Sequence, residues 1–149
     1  MRTRTAAPED GPAIDALVER AYARYVKRMG RRPRPMDDDH AAEIAAGEVL
    51  LLEEDDGTLA GVLVRRVEPG HLLIHNVAVE PDRQDRGHGQ TLLQYAELEA
   101  ARLGLPELRL YTHVTMTENI AMYERAGWTE YDRGGEPGFQ RVFFRKPAR

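Results

Sequence analysis

Apolar residues recur at helical spacing near the N-terminus of the chain. From Pro12 to the break at Gly30 they fall at i, i+3, i+4, i+7, i+8 and i+11, which is typical of one buried face of an amphipathic helix. The residues on this face are Ile14, Leu17, Val18, Ala21, Tyr22 and Tyr25. A short strand over 2–6 precedes the helix, and Asp10 is the expected N-cap. A second, shorter helix is predicted over 37–46.

Three apolar runs follow, separated by turn sequences. The runs over 49–53, 59–67 and 71–79 predict strands, since each is short and rich in branched apolar residues. The first pair is joined by the hairpin turn at 55–57 and the second pair by the turn at 69–70. Turns this short join antiparallel strands, so the pattern predicts a meander.

The second half of the chain alternates helices and strands. A helix over about 87–103 and a strand over 108–114 are predicted next. Residues 115–118 have capping-box spacing and open a short helix, and two strands near 128–133 and 139–146 close the chain. The order is β-α-α-β-β-β-α-β-α-β-β. The strands over 71–79 and 108–114, which flank the helix over about 87–103, should be parallel.

Composition predicts one soluble domain over residues 1–149. The chain is 42% hydrophobic and 31% charged, and it has no cysteine for a disulfide, a thiolate nucleophile or a thiolate-bound metal. The net charge of −4 disfavours general nucleic-acid binding. No apolar run has the ~18–20 residues that a membrane span needs, and the N-terminus lacks a secretory signal pattern. We expect a cytoplasmic protein without a membrane or nucleic-acid partner.

Residues 84–90, here called the glycine loop, join the third meander strand to the next helix. Gly87 and Gly89 let a ligand approach the unpaired N–H groups at a helix N-terminus, which is typical of a phosphate site. Gln90 follows Gly89 where a P-loop has lysine. Leu92 stands where a dinucleotide-binding loop has its third glycine. The loop therefore predicts a pyrophosphate ligand of another kind.

Two segments resemble the GNAT superfamily of N-acetyltransferases. The first is similar to that family's motif A and reads Val77-Ala78-Val79-x-Pro81-x-x-Gln84-x-x-Gly87-x-Gly89-x-x-Leu92-Leu93. The second, over 119–128, is similar to the family's Asn…Ala-x-x-Tyr-x-x-x-Gly-Phe segment. The resemblance implies an α/β (α+β) fold. Its sheet would be mixed, mostly antiparallel and six- to seven-stranded, with about four flanking helices.

The resemblance also implies acetyl-CoA as the cofactor. Backbone amides of the glycine loop would hold the pyrophosphate, and a bulged strand over 77–79 would splay from its neighbour and pair with the pantetheine arm. The implied cofactor-binding residues are Val77, Ala78, Val79, Gln84, Asp85, Arg86, Gly87, His88, Gly89, Gln90, Asn119 and Tyr123. The carboxylate of Asp85 departs from the small residue usual in the family, so it should face solvent or pair with Arg83 or Arg86.

The resemblance assigns chemistry to Tyr123, as the acid that protonates the leaving thiolate. A backbone N–H of 77–79 would bind the oxyanion. The general base stays open between His75, His113 and, through water, Glu80, since a strand histidine is often only a hydrogen-bonded wall residue. Asn119 is equally explained by first-turn hydrogen bonding. No histidine pair has helical metal-ligand spacing, so no metal site is expected.

The resemblance implies that the acceptor is a primary amine of a small molecule or a protein. The basic run over 20–34 is explained by a solvated helix end or by the mouth of an acceptor site. The carboxylates at 37–39 and Glu136 would attract a cationic amine, although a solvated loop explains them equally. A homodimer is possible, as among relatives. The alternative function is a non-catalytic acyl-CoA-binding or sensing module.

Overall fold

Seven strands form one sheet in the computed structural model, which describes residues 1–137 and 140–148. The strands are β1 (Arg2–Thr5), β2 (Val49–Glu53), β3 (Leu59–Glu68), β4 (His71–Val79), β5 (Glu107–His113), β6 (Thr129–Gly134) and β7 (Arg141–Pro147). The helices are α1 (Gly11–Met29), α2 (His40–Ala45), α3 (His88–Arg102) and α4 (Thr117–Arg125). This confirms the predicted order of elements.

The sheet is mixed, with strand order β1-β2-β3-β4-β5-β7-β6. Strands β2, β3 and β4 form the predicted antiparallel meander, and β1 extends it by pairing antiparallel with β2. Strands β4 and β5 are parallel, because the chain crosses over through α3 between them. Strand β7 inserts between β5 and β6 and is antiparallel to both.

Each face of the sheet is covered by one hydrophobic core. On one face α1 and α2 pack against β2, β3 and β4, and all six apolar residues predicted for the buried face of α1 are buried there. On the other face α3 packs with the fully buried Leu92 against Leu63, and Tyr123 of α4 joins the same core. The two cores hold β4 between α1 and α3, so the strand's position is fixed from both sides.

Asp10 is the N-cap residue of α1, as predicted, but its carboxylate makes no capping hydrogen bond to the helix, and the capping box predicted for α4 is wrong. At both places an arginine takes the carboxylate. The Asp10 carboxylate accepts from Arg4 (2.8 and 2.9 Å) and from the N–H of Ala7 (2.7 Å), so it closes the turn before α1. Likewise Glu118 binds Arg28 of α1 instead of closing a capping box at the start of α4. At the start of both helices, the charge-assisted hydrogen bond to arginine is stronger than a capping bond to a neutral N–H group.

Several predicted boundaries shift by a few residues. The second helix begins at His40 instead of residue 37, because a 3₁₀ turn (Arg34–Asp37) comes first and the Asp39 carboxylate caps α2 through the N–H of Ala42 (3.0 Å). Phe139, where the last strand was predicted to begin, lies outside the described residues. Over the described ranges, none of the helices combines the length and the apolar character that a membrane span requires.

Candidate active site

Strands β4 and β5 separate halfway along their length. Their pairing runs from His71 with Glu107 to Ile74 with Leu110, and beyond that point β4 continues on its β3 partners. The N–H of Glu80 donates to Ala60 on β3 (2.9 Å). Since donors alternate along a strand, the N–H groups of residues 77 and 79 point to the opposite edge, into the gap. The gap therefore presents unpaired backbone donors.

A β-bulge at His75 marks the point of separation. Val64 of β3 pairs with Asn76 and Arg65 pairs with Ile74, so His75 is the extra residue on β4. A bulge sends two consecutive side chains to one face of a sheet. The side chains of His75 and Asn76 accordingly both reach the face covered by α1 and α2. The bulge and the splayed strand agree with what the resemblance implied.

The glycine loop ends in an uncapped helix N-terminus. Gly87 is the N-cap of α3 in the left-handed conformation (φ 81°), where it supplies no side-chain cap. The first bond of the helix runs from the N–H of Thr91 to the carbonyl of Gly87 (3.0 Å). The N–H groups of residues 88–90 therefore point out of the helix end. A Cβ on Gly89 would lie 3.2 Å from the Met122 sulfur of α4, so only glycine fits without displacement.

Side chains in the glycine loop, and Arg83 just before it, have definite partners. The Gln84 amide donates to the carbonyl of Val79 (3.3 Å) and ties the loop to the end of β4. Arg83 forms ion pairs with Glu54 and with Asp82 (3.0 Å). Asp85 is exposed, so the carboxylate faces solvent, the first of the two predicted positions. Its backbone is left-handed (φ 66°), a conformation that glycine adopts freely and aspartate tolerates better than most residues.

A cavity of about 680 Å³, here called the loop cleft, lies between the glycine loop, α1, α4 and the exposed end of β4. Its volume is typical of a site for a ligand of cofactor size. Ten of the twelve residues predicted to bind the cofactor line it, and the two outside are Arg86 and Tyr123. The structure thus gathers the motif A residues around one space large enough for a nucleotide cofactor.

A second, smaller cavity of about 60 Å³ lies between the separated ends of β4 and β5 and is here called the strand-gap cavity. Tyr123, His75 and His113 line it. Tyr22 and Asn119 line both cavities, as does Val77. The two cavities therefore meet where the strands part. The thioether of Met116 is 3.9 Å from the Asn119 amide, within the first turn of α4.

Tyr123 lies almost fully inside the core, with its ring packed against Phe144 (5.8 Å between ring centroids) and Trp128 (6.2 Å). Burial raises the pKa of Tyr123 well above its usual range. The phenol is therefore protonated at neutral pH and acts as a hydrogen-bond donor.

Tyr22 and Asn76 form a buried pair that sequence reasoning missed as part of the site. The Tyr22 hydroxyl donates to the Asn76 side-chain oxygen (2.5 Å) and lies 3.3 Å from the carbonyl of Val77. Burial raises the pKa of Tyr22, which keeps it a neutral donor. The sequence contained one signal for this pair. Tyr22 lies on the apolar face of α1, and a tyrosine buried in a core needs a partner for its hydroxyl.

The candidate bases differ in which nitrogen is available. Nε2 of His75 is 2.7 Å from the Asp38 carboxylate, and its Nδ1 is buried with no partner among the described residues. Nδ1 of His113 lies 2.8 Å from the Thr115 hydroxyl and 3.2 Å from the Thr115 backbone nitrogen, so this ring nitrogen is engaged within its own loop. Glu80 forms a two-pronged ion pair with Arg20 (2.6 and 2.8 Å), on the protein surface.

The carboxylates expected to attract a cationic amine are already engaged. Asp38 binds His75, and Asp39 caps α2. Asp37 binds Arg32 (2.8 Å) and Glu136 binds Arg34 (3.1 Å). Arginine side chains, from Arg34 and Arg141, line the strand-gap cavity instead.

Asp38, Glu43 and His75 are the residues in the described ranges whose ligand atoms could meet at a metal, within 4.8 Å of one another. They come from three separate segments, so regular spacing along the sequence could not reveal them. Glu43 also accepts hydrogen bonds from Arg66 (3.1 Å) and contacts Nδ1 of His40 (2.9 Å). These contacts make the cluster a hydrogen-bonded network that anchors α2 and the segment before it to the bulge.

Comparison with known proteins gives a consistent result. Residues 14–128 match the model of the acetyltransferase (GNAT) family. The mycothiol acetyltransferase of Clavibacter michiganensis is 38% identical over 118 residues, covering 77% of this chain and 38% of that protein. The [ribosomal protein bS18]-alanine N-acetyltransferase of Escherichia coli is 31% identical over 75 residues, 50% of this chain and 51% of that one. The chain spans about two fifths of the mycothiol enzyme.

Solved structures match over nearly the whole chain. The PaiA N-acetyltransferase of Thermoplasma acidophilum, in complex with coenzyme A, superposes with a TM-score of 0.80 at 20% identity and covers 98% of both chains. The ribosomal-protein-S18-alanine N-acetyltransferase of Escherichia coli gives 0.77 at 22% identity, over 99% of this chain and 93% of that one. At these identities the match concerns the fold.

Proposed function

The chain belongs to the acetyltransferase (GNAT) family, and from this premise we propose that it transfers an acetyl group from acetyl-CoA to a primary amine by direct attack in a ternary complex. The observation that carries the proposal is the meeting of the loop cleft and the strand-gap cavity at the point where β4 and β5 part. A donor and an acceptor held in the two cavities would come into contact there.

The loop cleft is suited to the cofactor. Unpaired N–H groups at residues 88–90, together with the positive end of the α3 dipole, would hold the pyrophosphate. The backbone of β4 at Val77 and Val79 would pair with the amides of the pantetheine arm, as an added strand would. Bound in this way, acetyl-CoA supplies the thioester that reacts.

Transfer forms a bond between the amine nitrogen and the acetyl carbon and breaks the bond from that carbon to sulfur. Negative charge develops on the carbonyl oxygen, and a β4 N–H facing the gap stabilises it. The buried Tyr123 phenol donates to the departing sulfur. The nitrogen must lose a proton, and the sulfur gains one.

We assign the base to His75. With the Asp38 carboxylate accepting the N–H at Nε2 (2.7 Å), the lone pair of the imidazole lies on Nδ1, and a carboxylate behind the ring stabilises the cation formed on proton uptake. At His113 the corresponding nitrogen is engaged by Thr115. Of the two histidines, His75 is therefore the better placed to accept a proton in the strand-gap cavity.

Thiol release from acetyl-CoA over a panel of primary amines tests this function. We expect release above background with at least one amine and a large loss of turnover in Tyr123→Phe, with Tyr95→Phe as the matched control. Stabilisation by acetyl-CoA without turnover on any amine would instead favour the non-catalytic binding module. The absence of both stabilisation and turnover would contradict any acyl-CoA function.

A further inference from the structure

The strand-gap cavity has a distinctive charge pattern. Its charged side chains, apart from the histidines, are Arg34 from the 3₁₀ turn after α1 and Arg141 from the start of β7, and none of its described lining residues carries a carboxylate. The Arg141 guanidinium lies 5.1 Å from the centre of the Tyr111 ring, which holds it in place. Two separate parts of the chain thus bring positive charge to a small space.

From this pattern we propose that the acceptor carries a carboxylate close to its primary amine, as an amino acid does. The proposal rests on the proposed acetyl transfer and concerns the substrate of the same site. Arginine binds a carboxylate through paired N–H donors.

Arg34 already binds a carboxylate at this place. Glu136, from the segment between β6 and β7, accepts from its guanidinium at 3.1 Å. Both side chains are exposed, at 48% for Arg34 and 69% for Glu136, so the ion pair is weak. A carboxylate arriving with the acceptor can therefore share or replace Glu136 at small cost.

The same charges assist the chemistry. A neighbouring positive charge disfavours the protonated form of an amine, so the arginines lower the pKa of the acceptor nitrogen and raise its neutral, nucleophilic fraction. A simple alkyl amine would meet this repulsion with no compensating contact. An amine that carries a carboxylate meets the repulsion at one end and an attraction at the other.

The size and walls of the cavity limit the rest of the acceptor. A volume of about 60 Å³ corresponds to roughly five water positions, at about 10–15 Å³ each. Ile74, Leu110 and Met116 form part of the wall. The space therefore suits a small group with an apolar side chain.

Matched pairs of free amino acids and their amides test the proposal, for example alanine with alaninamide and valine with valinamide. The amide keeps the amine and the side chain and loses only the carboxylate. We expect the free acids to have a kcat/KM about tenfold or more above that of the amides, the effect of a charge-assisted hydrogen bond. Arg141→Gln and Arg34→Gln should each lower this ratio about tenfold.

The control is Arg145→Gln on the same strand as Arg141. The Arg145 guanidinium lies over the Tyr131 ring (5.5 Å), away from the strand-gap cavity, so the ratio should not change. The thermal shift with acetyl-CoA verifies that each variant is folded. Amides acetylated as well as acids, or a ratio that neither arginine variant changes, would overturn the inference and leave the proposed function standing. No release from any amine would overturn both.

Discussion

Replacing Asp85 with asparagine separates charge from conformation in the glycine loop. Asp85 is exposed, adopts a left-handed backbone (φ 66°) and lines the loop cleft. Asparagine tolerates this conformation about as well as aspartate, so Asp85→Asn removes the negative charge and keeps the loop geometry. If the loop holds a pyrophosphate, removing this charge must strengthen binding.

The expected gain in affinity is the free energy of one charge repulsion that the substitution removes. Unit charges near contact in water repel by about 1 kcal/mol, and 1 kcal/mol is about fivefold in Kd. Stability should change by less than about 0.5 kcal/mol, as for most exposed substitutions. In Asp85→Gly, relief of about 1 kcal/mol of left-handed strain is offset by about 0.5–1 kcal/mol of added chain entropy, so that variant should match asparagine in affinity and in stability.

Calorimetric titration of coenzyme A is the assay, at salt of about 0.05 M and about 0.5 M. Binding should tighten about fivefold at low salt and by less at high salt, where screening is stronger. Asp132→Asn on β6 is the control, because it removes the same charge from an exposed side chain that does not line the cleft. Equal affinities for the wild type and Asp85→Asn at low salt, or equal gains in both variants, would refute the placement of phosphate in this loop.

Three further outcomes follow from the structure. Tyr123→Phe should lower kcat by about 10²-fold, with an unchanged thermal shift on acetyl-CoA; unchanged kcat in the thiol-release assay would exclude Tyr123 as the acid. Arg28 lowers the pKa of Glu118 to about 2 from the usual 4.5, so the wild type should lose up to about 1 kcal/mol as pH falls from 4.5 towards 2. Arg28→Ala should lose less over that window, by urea unfolding at each pH, and equal losses would refute the pairing. Gly87→Ala (φ 81°) and Gly104→Ala (φ 74°) meet no atom within 4 Å, so each should lose about 1–2 kcal/mol, but only Gly87→Ala should weaken binding of coenzyme A by calorimetry.

Local patterns predicted most of the fold because they depend on neighbours in sequence. The apolar face of α1 follows from helical spacing, and the parallel pairing of β4 with β5 follows from the crossover through α3. The capping bond expected of Asp10 and the capping box expected at Glu118 are replaced by ion pairs with Arg4 and Arg28, which the local pattern of each cap does not contain. The spacing of a motif does not show whether a charged residue outside the motif binds one of its side chains instead.

The candidate site was predicted unevenly for the same reason. Motif A placed the loop cleft, since its residues are consecutive and act mainly through their backbone. The bulge at His75 depends on the register between β3 and β4, which the sequence of β4 alone does not contain. The pair of Tyr22 with Asn76, and the gathering of Arg34 and Arg141, join segments far apart in the chain. The charge of the strand-gap cavity is therefore a property of the fold.

The proposed activity depends on binding of the pyrophosphate and pantetheine of coenzyme A in the loop cleft. The most direct measurement is the thermal unfolding of the wild type with acetyl-CoA, coenzyme A, ATP and NAD in parallel. A ligand at ~100 times its Kd adds ~2.7 kcal/mol, which raises the midpoint by several degrees in a domain of this size. We predict this rise with both coenzyme A species and none with ATP or NAD. An equal rise with NAD, or no rise with coenzyme A, would contradict selective binding of coenzyme A in the loop cleft.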